Sequence, residues 1–278
     1  MGSIRGYLEL TRPINSVAAG LLTLIGGFVA SGVGGNQRAL AVAVLATVLA
    51  TGAGNAINDY FDREIDAIND PDRPIPRGEI SPRGAVGLSA GLFAVAISLA
   101  ITLPPIAILI AVVNLLGLVG YTVFFKGRPG AGNALVAYLG GSTFLFGAAA
   151  VGQPRSGVEL FALAALATFA REIIKDVEDI DGDRAEGLNT LPIAIGEQRA
   201  LRIAGAALVG AVAASPLPYV TGLFGFAYLA LVVPADLVMI AALLKSRADP
   251  TVSQQWLKYG MFLAALAFIV GRVSAVFG

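Results

Sequence analysis

The sequence predicts an all-α, polytopic membrane protein, and three observations carry that prediction. Of 278 residues 56% are hydrophobic and only 14% are charged, whereas a soluble domain carries about a quarter charged residues. The mean hydropathy is +0.77. The apolar runs are about 20 residues long and do not alternate, which is the period of spanning helices and not of barrel strands. Lipid offers the backbone no hydrogen-bond partner, so helices and closed barrels are the only structures that can span it.

Nine apolar segments follow one another at 14–30, 40–57, 86–103, 106–125, 135–151, 158–174, 200–216, 220–244 and 256–277. Each has about the length a bilayer requires. Turn chemistry separates them: "SGVGGN", "LPP", "KGRPG", "GQPRSG", "SPLP" and "SRADP". Nine crossings put the termini on opposite sides. With the N-terminus in the cytoplasm, all of the 19 Lys and Arg except Arg38, Arg155 and Arg272 fall on the inner side, as the positive-inside rule requires. Net charge is zero, so no bulk field points to nucleic acid.

The acids are equally lopsided. Asp59, Asp62, Glu64, Asp66, Asp70 and Asp72 follow the second segment, and Glu172, Asp176, Glu178, Asp179, Asp181, Asp183 and Glu186 follow the sixth. The two windows, one after each of two even-numbered segments, suggest one domain built of two pseudo-repeated halves, 1–130 and 131–278. Asn58, Asp62 and Asp66 are spaced i, i+4, i+8, and Asp176, Asp179 and Asp183 are spaced i, i+3, i+7, so each set shares one helix face. Like charges so placed repel, and a divalent cation removes the conflict. The chain has no His and no Cys, and hard oxygen ligands select Mg²⁺ or Ca²⁺. Mg²⁺ takes one or two carboxylates plus substrate phosphates, so two facing clusters suit Mg²⁺ ions bridging a diphosphate. Arg63, Arg73, Arg77, Lys126, Arg128 and Lys175, near the inner ends of segments 2, 4 and 6, are candidates for the remaining phosphate oxygens. The plainer alternative is a solvated loop laced with surface ion pairs, and for any one basic residue it weighs as much, since topology alone supplies inner Lys and Arg.

These stretches resemble the UbiA superfamily of intramembrane prenyltransferases. "NAINDYFDREIDAINDPDRPIPRG" is similar to that family's first motif and "REIIKDVEDIDGDRAEGLNTLP" to its second. "LTRP" and "YTVFFK" also look like family positions. The resemblance spans the nine-segment layout and implies a helical bundle around a central cavity, Mg²⁺ as cofactor, a polyprenyl diphosphate donor and a lipophilic acceptor. Carried over residue by residue, Asn58, Asp62, Asp66, Asp176, Asp179 and Asp183 hold metal, with Asp62, Asp66, Asp179 and Asp183 central to catalysis. Lys126 matches a basic diphosphate contact of the family and Arg12 a further one; by position Arg63, Arg73, Arg77 and Lys175 are expected to join Lys126 on the diphosphate, with Tyr121 and Arg128 as further candidates. Within the superfamily the motifs are most similar to archaeal digeranylgeranylglyceryl phosphate synthases, which implies geranylgeranyl transfer to the hydroxyl of geranylgeranylglyceryl phosphate in the cell membrane, with the site toward the cytoplasm.

Other readings compete. A quinone-pathway relative would prenylate an aromatic ring. A cation-coupled transporter would place its acids near the bilayer midplane, while these cluster at helix ends. The aspartate pattern of CDP-alcohol phosphotransferases is absent. Asp236, inside the eighth segment, is either a functional acid or a hydrogen-bonder to a neighbouring helix. Asn15, Asn114, Asn133 and Tyr138 suit interhelical bonds, and Gly26, Gly27, Gly52 and Gly54 suit close packing.

Overall fold

The computed structural model describes residues 3–277. Among them nine helices of 16 residues or more dominate: α1 Pro13–Ser31, α2 Gln37–Asn69, α3 Pro82–Ala100, α4 Pro105–Gly120, α5 Ala131–Ala150, α6 Val158–Glu178, α7 Glu197–Ala214, α8 Ala227–Lys245 and α9 Pro250–Phe277. Short helices at Ile4–Leu10, Ile180–Ala185, Leu191–Ile195 and Leu217–Val220 fill the connections. Eight helices are long and apolar enough to cross a membrane. α6 is not among them, because Arg171, Glu172, Lys175, Asp176 and Glu178 crowd its last turns.

The helix starts obey local chemistry. Asn36 and Ser81 cap α2 and α3, accepting from the backbone N–H of Ala39 at 3.0 Å and Gly84 at 3.1 Å. Pro13, Pro82 and Pro105 occupy first turns, where the missing N–H is not needed. The eighth apolar segment begins later than its hydropathy suggests. Gly222, at φ 78°, ends the turn after Leu217–Val220, and α8 starts only at Ala227.

Packing follows residue size. α1 lies directly on α5, where a Cβ on Gly26 would strike the carbonyl of Phe144 and one on Gly147 the carbonyl of Thr23. Lipid is as apolar as a leucine side chain, so close van der Waals approach of this kind holds membrane helices together. α2 pairs with α3, α6 with α5 and α7, and α8 with α9. Leu109, Val112, Leu116 and Val119 are exposed along α4, a surface suited to hydrocarbon and not to water.

Candidate active site

α2 is the element that builds the site. At 33 residues it outruns its apolar part and carries "NDYFDREIDAIN" on as continuous helix. Asn58, Asp62 and Asp66 therefore share a face, and all three line a cavity of 870 Å³. The end of α6 supplies Lys175 and, at its C-cap, Asp179 to the same cavity. The acidic windows also touch directly: Asn69 Nδ2 donates to Glu186 Oε1 at 2.6 Å.

A third wall comes from the end of α4. Tyr121–Phe125 forms a single π-turn, closed by Lys126 N–H donating to Tyr121 O at 2.8 Å, a distortion frequent at functional sites. It places Tyr121, Thr122 and Lys126 on the cavity. Thr122 Oγ1 donates to Asn58 Oδ1 at 3.1 Å, Asn58 Nδ2 to Asp62 Oδ2 at 2.8 Å, and Lys126 Nζ to Asp62 Oδ1 at 2.6 Å. Asp62 is thus held through both oxygens, with an ammonium offsetting its charge.

Asp59 is buried and lies off the cavity wall. Its Oδ1 accepts from Arg12 Nη2 at 2.6 Å and from Arg73 Nη1 at 3.1 Å, and both arginines line the cavity. Arg73 also reaches Asp66 Oδ2 at 3.1 Å and Asp70 Oδ2 at 3.0 Å. Burial works against the Arg73 charge, but Asp70, Asp59 and Asp66 outweigh it and hold its pKa above the ordinary value. Arg12 is the one non-glycine residue at positive φ (44°) among the described residues. Helix α2 pins this turn, because Asn55 Nδ2 donates to Thr11 O at 3.1 Å.

The other expected residues are dispersed. Asp176 accepts from Asn133 Nδ2 of α5 at 2.8 Å, and neither it nor Asp183 lines the cavity. Asp183 sits on the short helix Ile180–Ala185, where partial burial pushes its carboxyl above the ordinary value. Arg63 turns outward, donating to Tyr60 O at 2.8 Å and to Glu64 Oε1 at 3.0 Å, over the Tyr60 ring. Arg77 is taken up by Glu9, at 2.6 Å, and by Glu79, and Arg128 is exposed. None of these three arginines lines the cavity. Asp236 accepts from Ser215 Oγ at 2.6 Å and borders a different cavity.

The sequence placed Glu172 and Glu186 in the second acidic window without a role at the site and did not single out Asn55, Thr122 or Arg171 for it; all five are on the cavity wall. Asn55 was findable, since it stands at i−3 from Asn58 on the same face. Thr122 was not, because the π-turn alters the local register.

The rest of the cavity is lined by small and aliphatic side chains, Ala18, Ala46, Ala50, Leu115, Leu118 and Leu139 among them. Its polar end fits Mg²⁺: Asn58, Asp62, Asp66 and Asp179 are hard oxygen donors facing one space. Among the described residues no three carboxylates are grouped closely enough to hold an ion by themselves. That suits a cation whose remaining ligands are substrate phosphates.

Known proteins share this architecture. The UbiA prenyltransferase family pattern matches residues 19–266. A digeranylgeranylglyceryl phosphate synthase of Natronomonas pharaonis is 63% identical over 99% of this chain and 100% of its own. One of Methanopyrus kandleri is 46% identical over 96% and 98%. A solved structure described as a digeranylgeranylglyceryl phosphate synthase in membranes superposes with a TM-score of 0.87 at 36% identity, over 97% of this chain and 98% of that one. A UbiA homologue from Archaeoglobus fulgidus, bound to GPP and Mg²⁺, shares the fold with a TM-score of 0.74 at 18% identity, over 98% and 99%. Likeness of this extent and identity decides membership: the chain is a multi-pass membrane enzyme and belongs to the UbiA prenyltransferase family.

Proposed function

We propose that the chain transfers a geranylgeranyl group from its diphosphate to the free hydroxyl of geranylgeranylglyceryl phosphate, with Mg²⁺ as cofactor. The observation that carries this reading is one cavity with residues of both acidic windows at one end and chiefly alanine and leucine side chains, with a few Thr and Asn, along the rest. The name borne by the relatives from Natronomonas pharaonis and Methanopyrus kandleri supports the acceptor.

Asn58, Asp62, Asp66 and Asp179 would hold Mg²⁺, which when bound offsets the charge that gathers on the departing diphosphate. Asp176 and Asp183 belong to the same set through their motif. Arg73, Arg12, Lys126 and Lys175 supply N–H donors for the phosphate oxygens, the arginines in a fork and the lysines as point charges. Such donors act most strongly where water is excluded. The apolar walls bind the prenyl tail, at about 0.8 kcal/mol per buried CH₂, and shield the allylic carbon from hydrolysis. The allylic C–O bond breaks with its electron pair leaving on diphosphate. A new C–O bond forms to the acceptor oxygen, which gives up its proton. With no His or Cys in the chain, oxygen bases are the natural proton acceptors.

The same reading places the N-terminus and the polar end of the cavity in the cytoplasm, with α6 as a ninth crossing. The Lys and Arg distribution supports it, as does the packing of α6 against α5, α7 and α9. The halves 1–130 and 131–278 each contribute one acidic window.

An acceptor panel with geranylgeranyl diphosphate tests the proposal. Pyrophosphate should appear only with Mg²⁺, donor and geranylgeranylglyceryl phosphate together. Turnover of 4-hydroxybenzoate or a naphthoate in its place would favour the aromatic reading. Labelled-cation flux in liposomes without prenyl transfer would favour a transporter.

A further inference from the structure

A second cavity, of 380 Å³, lies beside the first. Asn15, Ala18, Leu22, Gly140, Thr168 and Arg171 line both and form the partition. Its other walls come chiefly from α6, α8 and α9 and are largely apolar, with Leu163, Val232, Met261 and Phe268. None of the motif carboxylates faces it. Arg171 and Lys258 are its cations.

Both cations have binding capacity left. Arg171 gives Nη1 to Glu172 at 2.8 Å and Nη2 to Gln254 at 3.0 Å, while its Nε is buried with no acceptor. A buried donor left in that state is costly. Lys258 is exposed and, among the described residues, its ammonium has neither hydrogen bond nor ion pair. The one acid on this cavity, Asp236, stands apart. Helices α8 and α9 run antiparallel, with Gly260 on Ala235 and Met239 and Gly271 on Tyr228. Asp236 accepts from Ser215 Oγ and, among the described residues, forms no ion pair with Lys258 or Arg171. Phe262, 55% exposed, and Lys258 both line the cavity and reach the surface of α9.

A transfer between two lipids needs two chain compartments. The first cavity has carboxylates for a metal-bound diphosphate and an apolar extension of its own. The second has cations and no acidic cluster, which suits a single anionic head that needs no divalent ion. Resting on the prenyl-transfer reading above, we infer that the second cavity holds the acceptor, an isoprenoid lipid with one phosphate, its phosphate on Arg171 and Lys258 and its chain along α6, α8 and α9. The lipid enters sideways from the bilayer past Phe262. Arg171, four residues before Lys175 and eight before Asp179, brings the acceptor's head to the wall where the donor's diphosphate is handled.

The full chain in nanodiscs tests this by equilibrium binding of geranylgeranylglyceryl phosphate in EDTA without donor, and by separate KM values for each substrate with Mg²⁺. The acceptor should bind in EDTA. Lys258→Gln should raise its Kd and KM about tenfold and leave the donor KM within about twofold. That effect should vanish with geranylgeranylglycerol, which lacks the phosphate. Ala265→Phe, which narrows the chain compartment, should raise the KM of both acceptors and not that of the donor. The assignment is overturned if acceptor binding requires Mg²⁺, if Lys258→Gln weakens donor and acceptor alike or the phosphate-free acceptor equally, or if it changes nothing, the result expected of a lysine that only snorkels to lipid headgroups. A wild-type chain that binds this lipid in EDTA yet never prenylates it defeats the functional reading and leaves the cavity assignment standing.

Discussion

Arg12 and Asp59, 47 residues apart, meet at 2.6 Å behind the cavity wall. The carboxylate is 6% exposed and the guanidinium 35%, so Asp59 is the fixed partner and Arg12 the one that reaches the cavity. The backbone at Arg12 is left-handed, a conformation costing about 1–2 kcal/mol for a side-chain-bearing residue, and contacts from α2 hold it there. Asp59→Asn leaves Arg12 and Arg73 without their shared charge. The expected outcome is a donor KM raised about tenfold with kcat much less affected. Steady-state kinetics on a variant that still melts cooperatively checks it, and an unchanged donor KM would remove Asp59 from any positioning role.

Activity should depend on both acidic windows. EDTA should abolish pyrophosphate release, and Asp62→Ala combined with Asp179→Ala should lower kcat by at least about a hundredfold, the scale of losing one preorganised charge contact. Full turnover in either condition would contradict the metal assignment.

The α1–α5 contact makes a stability prediction. Gly26→Ala places a methyl against the Phe144 carbonyl, an overpacking that costs about 1–3 kcal/mol. Gly91→Ala, which meets nothing within 4 Å, should be neutral or stabilising by up to about 1 kcal/mol. Thermal melts in one detergent compare the two, and equal melting temperatures would show that α1 and α5 are not in close contact.

The Arg77 cluster should respond to pH. Arg77 and then Arg5 hold the Glu9 carboxyl, and Ser3 and then Arg77 hold the Glu79 carboxyl, below the ordinary value of 4.5. A carboxylate with a lowered folded pKa stabilises the fold above its unfolded value, and the contribution disappears as pH falls through the lowered one. Arg77→Ala should therefore depress the melting temperature at neutral pH, and that effect should fade as the pH falls below the ordinary value of 4.5 and through the lowered one. An effect that persists in acid would assign Arg77 a role other than this pairing. The cluster is exposed, so the shift will be small and will shrink with salt.

Much of this was legible in the chain. Hydropathy located nine segments; among the described residues nine long helices occupy them, and eight of these are long and apolar enough to cross a membrane. The i, i+4, i+8 spacing put Asn58, Asp62 and Asp66 on one wall, because α2 stays helical through its charged end. The same logic placed Asp176, Asp179 and Asp183 on one face, yet only Asp179 lines the cavity: α6 stops at Glu178 and Asp179 is its cap. Arg63 and Arg77 show the limit most plainly. They sit in the motif stretches, but nearby Tyr60, Glu64, Glu9 and Glu79 capture them before the cavity can.

By itself the sequence determined the helical membrane class, the two oxygen-rich windows and the family. Those are properties of composition and of spacing between residues close together in the chain. Only the tertiary structure decided which charges face substrate. A guanidinium has several carboxylates within reach, and the winner depends on how helices far apart in the chain pack. Asp59 rather than Asp62 takes Arg12, and Lys126 crosses to Asp62, because small residues and a π-turn set the distances between α1, α2 and α4.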